Sequence, residues 1–171
     1  MTLDELNRLS RTEAALAFSR CCGSSQWAKT MALKRPYQDE EELMSAADSV
    51  WKRLSEDDWL EAFACHPRIG EKNARDENPS PAWTWARAEQ AGALAASQQV
   101  LDAFTARNAE YEKKFGYLFI VCATGRSGDE MMDLLRQRMR NDPRGEIQVA
   151  AEEQRKITGL RLKKLIGSQQ P

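Results

Sequence analysis

The run Phe115–Ala123, reading Phe-Gly-Tyr-Leu-Phe-Ile-Val-Cys-Ala, constrains the fold more than any other part of the chain. It is apolar throughout and closes on Thr124-Gly125, the pattern of a buried strand or extended segment ending in a turn. A strand needs a ladder partner for its peptide groups, and no second run of comparable strength occurs. The N–H and C=O groups of this segment must therefore find helix ends, side chains, water or a ligand. Such a segment is suited to be a pocket wall. Since the rest of the sequence carries helical period, the fold class is all-α: a single-domain, multi-helix, bundle-like fold over residues 1–171 with one extended apolar segment at 115–123.

Helix-start chemistry recurs along the chain. Thr2 to Glu5, Ser10 to Glu13 and Ser127 to Glu130 each match the Ser/Thr-x-x-Glu capping box. Between Asp39 and Leu54, residues Leu43, Ala46, Ala47, Val50, Trp51 and Leu54 fall at helical spacing behind an acidic first turn. Ser55 with Asp58 opens a helix carrying Trp59, Leu60 and Phe63. Pro67 ends it near His66, because a residue before proline is pushed out of helical geometry. The polar stretch Gly70–Ser80, punctuated by Pro79 and Pro81, has no period and reads as a surface loop. Two helices follow, over 82–96 and 98–114. Asp142-Pro143 then caps a long last helix, where Ile147, Ala150, Ala151, Gln154, Ile157 and Arg161 recur on one face.

Composition narrows the function classes. A chain of 171 residues buries enough surface to fold without a disulfide or metal. With 25 basic against 26 acidic side chains it has no charge excess suited to a nucleic acid. No apolar run approaches the roughly 18 to 20 residues that span a bilayer, and acidic residues in Met1–Leu6 stand where a signal peptide carries positive charge. The expectation is a cytoplasmic protein bound neither to nucleic acid nor to membrane. Of the four cysteines, Cys21 and Cys22 are adjacent while Cys65 and Cys122 are far apart in apolar surroundings, so reduced, mostly buried thiols are expected. The tail Ser168–Pro171 carries no peroxisomal or lipidation signal and reads as loose.

The only histidine, His66, lies in Cys65-His66-Pro67-Arg68-Ile69-Gly70. It can exchange a proton near neutral pH as a general acid, or simply cap the preceding helix by bonding a terminal carbonyl. Glu89-Gln90 forms a polar pair in a helix otherwise rich in alanine, either solvated or aimed into a cavity that small residues leave open. Arg161 extends the inward face of the last helix, where an arginine usually binds an anion, whereas Arg155 reads as solvated. Neither CxxC nor HxxxH accompanies Cys65-His66, and there is no GxGxxG, P-loop, nucleophile elbow or HExxH, so neither metal nor cofactor is expected.

Four marks in order carry a resemblance over nearly the whole chain. They are His66-Pro67-Arg68-Ile69-Gly70, Glu89-Gln90, Phe115–Ala123, and the terminal run from Arg138-Met139-Arg140-Asn141-Asp142 through Glu146, Glu153, Lys156-Ile157 and Arg161-Leu162. Together they resemble the decarboxylases of 2-oxo-4-hydroxy-4-carboxy-5-ureidoimidazoline (OHCU), which complete the conversion of urate to allantoin. The resemblance implies an all-helical homodimer acting on a small molecule with neither metal nor organic cofactor. It implies His66 as the catalytic histidine, with Glu89 accepting a hydrogen bond from the substrate. Pro67, Ala86, Glu89, Gln90 and the backbone of Phe119, Ile120, Val121, Cys122 and Ala123 would line the pocket, and Arg161 would hold an anion. The family commonly has serine where this chain has Ala86, so one hydroxyl contact is missing; Thr84 lies on another side of the helix and does not replace it. The rival from another class is a non-catalytic helical interaction module built on Trp27, Trp51, Trp59, Trp83 and Trp85; a relative acting on another cyclic ureide is a weaker one.

Overall fold

Helices begin where side chains can take up the first unpaired amides. A computed structural model describes residues 1–67 and 98–167. These form α1 (Leu3–Arg8), α2 (Arg11–Ser19), α3 (Ser25–Lys34), α4 (Glu40–Trp51), α5 (Glu56–Ala64), α6 (Gln98–Phe115), α7 (Gly128–Arg138) and α8 (Pro143–Leu165), with no strand among them. The expected loop Gly70–Ser80, the helix over 82–96 with Ala86, Glu89 and Gln90, and the tail Ser168–Pro171 lie outside the described residues.

All three capping boxes form, before α1, α2 and α7, and each glutamate accepts the cap's own N–H: Glu5 from Thr2 at 2.7 Å, Glu13 from Ser10 at 2.9 Å and Glu130 from Ser127 at 2.7 Å. These bonds hold the Glu13 and Glu130 carboxyls below their ordinary value, through Ser10 and Ser127 respectively. Asp39 caps α4 by accepting the Glu42 N–H at 2.8 Å, and that helix stops at Trp51, so Leu54 lies in the turn beyond it. Helix α3 has only half a box: Ser24 accepts the Trp27 N–H at 3.2 Å, but tryptophan stands where the glutamate would be, so the sequence pattern does not reveal it.

By its contacts the chain divides into two compact units, Met1–Ala62 with Gln154–Pro171, and Phe63–Glu153. In the first, α2 packs on α3 and α3 on α4 around Leu6, Phe18, Trp27, Met31 and Leu43, all fully buried. Phe18 meets Trp27 edge-on with centroids 5.9 Å apart, a favoured aromatic geometry. Polar atoms in this core bond to backbone: Trp27 Nε1 donates to the Ala47 carbonyl at 3.2 Å and the Tyr37 hydroxyl to that of Met31 at 2.7 Å. Arg35 donates to the carbonyls of Leu6 and Leu9 at 2.7 and 2.8 Å, satisfying the open end of α1.

Two expectations need correction here. Arg155 is not solvated: it is half-buried and donates to Asp48 of α4 at 2.7 Å, a partner from a distant part of the chain. None of the four cysteines is in a disulfide, and Cys21 and Cys22 are buried, but Cys65 is exposed. Helix α5 turns Ala62 and Phe63 inward and ends at Ala64, so Cys65 stands in the turn beyond it rather than on its inward face.

Candidate functional site

His66 stands where α5 has ended. Its N–H donates to the Phe63 carbonyl at 3.1 Å, and the buried Pro67 after it has no N–H with which to continue the helix. The Phe63 ring meets the Tyr117 ring at 5.3 Å, which seats the turn carrying His66 beside the start of the apolar stretch.

That stretch begins one residue later than the sequence suggests, because α6 runs through Phe115. Gly116, at φ 84°, adopts the left-handed conformation that closes a helix, and its N–H donates to the Glu112 carbonyl at 2.8 Å. Residues 118–123 are neither helix nor strand. The Tyr117 and Phe119 rings both pack against Tyr111, at 6.0 and 5.2 Å, and Phe119 also meets Phe104 at 6.2 Å. These contacts lay the stretch along the inner face of α6.

The question raised by a lone extended segment has its answer in side chains. Met131, Leu135 and Arg138 share the inner face of α7 at helical spacing, so Arg138 is buried. Its Nη1 donates to the Ile120 carbonyl at 2.6 Å, while its Nε donates to Glu146 Oε1 at 2.7 Å. The guanidinium also lies 4.6 Å over the Phe119 ring. Glu146 is fully buried and accepts further bonds from the Tyr111 hydroxyl and, at 2.6 Å, from Asn141 Nδ2. Burial pushes the Tyr111 phenol well above the usual tyrosine range, the nearby guanidinium pulls it back in part, and Glu146 pushes it up again; it stays a neutral donor. Further along, the Cys122 N–H donates to Glu153 Oε2 at 2.8 Å and Arg126 Nε donates to the Cys122 carbonyl at 3.1 Å.

His66, Pro67 and Phe119–Ala123 thus fall in one unit. Arg161 is buried, as the periodicity of the last helix predicts, and belongs to the other unit. Ala86, Glu89 and Gln90 lie outside the described residues. The sequence reading gave no task to Arg138, Glu146 or Glu153. The available signal was register: Glu146 and Glu153 share the side of α8 that carries Ala150 and Ile157, where charge is out of place unless paired. Chemically, this unit holds both an imidazole and an apolar stretch that carries peptide groups as its polar part. Among the described residues no group of three His, Cys, Asp or Glu is placed to hold a metal ion, and no helix is long and apolar enough to cross a membrane.

Comparison with known proteins gives one consistent answer. The family model described as OHCU decarboxylase matches residues 7–163. The chain is similar to the uric acid degradation bifunctional protein TTL of Arabidopsis thaliana, at 42% identity over 151 residues, 85% of this chain and 45% of that protein. It therefore spans less than half the length of that relative. It is also similar to the 2-oxo-4-hydroxy-4-carboxy-5-ureidoimidazoline decarboxylase of Haloferax volcanii, at 26% identity covering 99% of this chain and 98% of that one. Among solved structures, that of an OHCU decarboxylase in the presence of (S)-allantoin is similar with a TM-score of 0.76 and 38% identity, covering 88% of this chain and 96% of that chain.

Proposed function

The chain belongs to the OHCU decarboxylase family, and on that premise we propose that it decarboxylates 2-oxo-4-hydroxy-4-carboxy-5-ureidoimidazoline to (S)-allantoin in urate degradation, without a cofactor. The observation that carries the reading is the extent of the family match, which runs from residue 7 to 163 and so takes in the His66 turn, the apolar stretch and Arg161 together. It also supports reading residues 1–171 as one family domain. A cytoplasmic homodimer is part of the same proposal.

The substrate has a carboxylate and a hydroxyl on one ring carbon, next to an unsaturated ring position that can delocalise the electrons left when CO2 departs. The protein must then hold the carboxylate, stabilise charge developing on the ring, and deliver a proton to one face of the adjacent ureido-bearing ring carbon, as the hydroxyl-bearing carbon gives up its O–H proton and becomes the carbonyl of allantoin. In this proposal Arg161 holds the anion and Glu89 accepts a hydrogen bond from the substrate hydroxyl or a ring N–H. Gln90 and peptide N–H groups of the apolar stretch read the ureido and ring carbonyl groups. The amide of Cys122 already donates to Glu153, which favours the other amides of the stretch for that task. His66 transfers the proton, and the buried Phe119–Val121 wall keeps water from competing with it.

The test is circular dichroism of allantoin formation, with the short-lived substrate generated in situ from urate. Wild type is expected to give one enantiomer rapidly, and His66→Ala to lose at least about 10²-fold in turnover, the low end for general acid–base help, with its far-UV spectrum intact. A His66→Ala enzyme within threefold of wild type overturns the proton-transfer role. Slow racemic product with wild type as well returns the chain to a binding module or to another cyclic ureide.

A further inference from the structure

The hydrogen bonds that hold the apolar stretch fall on one side of it. Arg138 takes the Ile120 carbonyl, Glu153 the Cys122 N–H and Arg126 the Cys122 carbonyl. Peptide groups two residues apart in an extended chain point to the same side, and those of the intervening residues point to the other. The bonded edge therefore belongs to residues 120 and 122, and the opposite edge to Phe119, Val121 and Ala123. On that second edge the Ala123 carbonyl closes a turn with the Arg126 N–H at 3.0 Å. Among the described residues nothing meets the N–H or C=O of Val121, although Val121 is buried. Buried peptide groups are nearly always paired, so an unmatched pair facing away from a built clamp points to a ligand.

We infer that Glu153 and Arg138 are positioning residues for the decarboxylation: by occupying the 120/122 edge they set the register of the stretch and present the Val121 edge to the planar ureide substrate. This rests on the function proposed above. Both clamp residues are buried, and Arg138 is itself held by Glu146 and Tyr111, so the stretch is fixed by side chains anchored on helices. Glu153 accepts from the peptide and Arg138 donates to it, so the two grip the chain two residues apart with opposite polarity. A shift by one residue would offer each of them the wrong edge of the chain.

The experiment compares wild type, Glu153→Leu and Glu153→Gln in the in situ assay, with thermal unfolding of each. Glu153→Leu removes the acceptor, and KM should rise about tenfold or more while the folded fraction stays near unity. Glu153→Gln keeps a side-chain carbonyl able to accept from Cys122 and should bring KM back to within about threefold of wild type. A merely structural role would lower the folded fraction and the apparent kcat but leave KM alone. A KM for Glu153→Leu within twofold of wild type overturns the inference, whereas absence of turnover in wild type overturns the function reading beneath it. Should Glu153→Leu not fold, amide NMR of wild type titrated with (S)-allantoin decides. The Val121 and Ala123 resonances are expected to move most, and dominant movement of Cys122 would overturn the proposal.

Discussion

The two compact units differ in how deeply their ion pairs are buried. In Met1–Ala62 with Gln154–Pro171 the buried Trp27 and Tyr37 and the half-buried Arg35 bond to backbone carbonyls, the buried Gln154 donates to Thr158, Arg161 is a buried guanidinium, and the ion pair Arg155–Asp48 keeps 31% and 39% of its side chains in solvent. In Phe63–Glu153 a guanidinium and a carboxylate are sealed inside, with side-chain exposures of 6% for Arg138 and 0% for Glu146. The difference follows from what each unit holds. Regular helices satisfy their own peptide groups, whereas an irregular stretch brings carbonyls and amides into the interior and needs buried partners for them. A buried charge pair is a weak source of net stability, so its presence marks the segment it positions.

The largest effect expected from breaking this contrast is in the second unit. Arg138→Met strands Glu146 as a buried charge and frees the Ile120 carbonyl, and should cost about 3–5 kcal/mol in urea unfolding. A loss below about 1 kcal/mol would mean that the network holds little. The matching change in the first unit, Arg155→Met, removes a half-exposed pair and should cost at most about 1 kcal/mol, measured the same way. Equal losses at the two sites would erase the distinction between the units.

The smallest effect is one the units should share, because both use the same cap chemistry. Glu13 and Glu130 have folded-state values below the ordinary 4.5, caused by their bonds to Ser10 and Ser127. A carboxyl depressed by folding contributes stability above its unfolded value and loses it as pH falls through the folded one. The thermal midpoint should therefore decline as pH drops below about 4.5, and the Glu13→Gln, Glu130→Gln double variant should show a shallower decline over that window. An unchanged slope would assign acid sensitivity to other carboxyls.

Much of the fold was legible because helix chemistry is local. The boxes at Thr2, Ser10 and Ser127 close over three residues, and Asp142-Pro143 announces α8 at the chain level. Helix α3 was the exception, since Trp27 occupies the position that would have completed its box. Of the site, the His66 turn and the apolar stretch could be picked out beforehand, because proline ends a helix and a run with no strand partner is conspicuous. The face of Arg161 was also readable from periodicity, whereas the pairing of Arg155 with Asp48 spans 107 residues and left no local trace.

By itself, then, the sequence determined the all-helical class, most helix starts, an apolar segment that departs from helical period, and the resemblance carried by its four marks. What only tertiary structure decided is how that segment is held. Arg138 reaches Ile120 across 18 residues, Glu153 reaches Cys122 across 31, and Tyr111 reaches Glu146 across 35. Helical period shows that such a side chain faces inward, but the peptide group it meets depends on how separate elements pack, because the chain between them is long enough to allow many pairings.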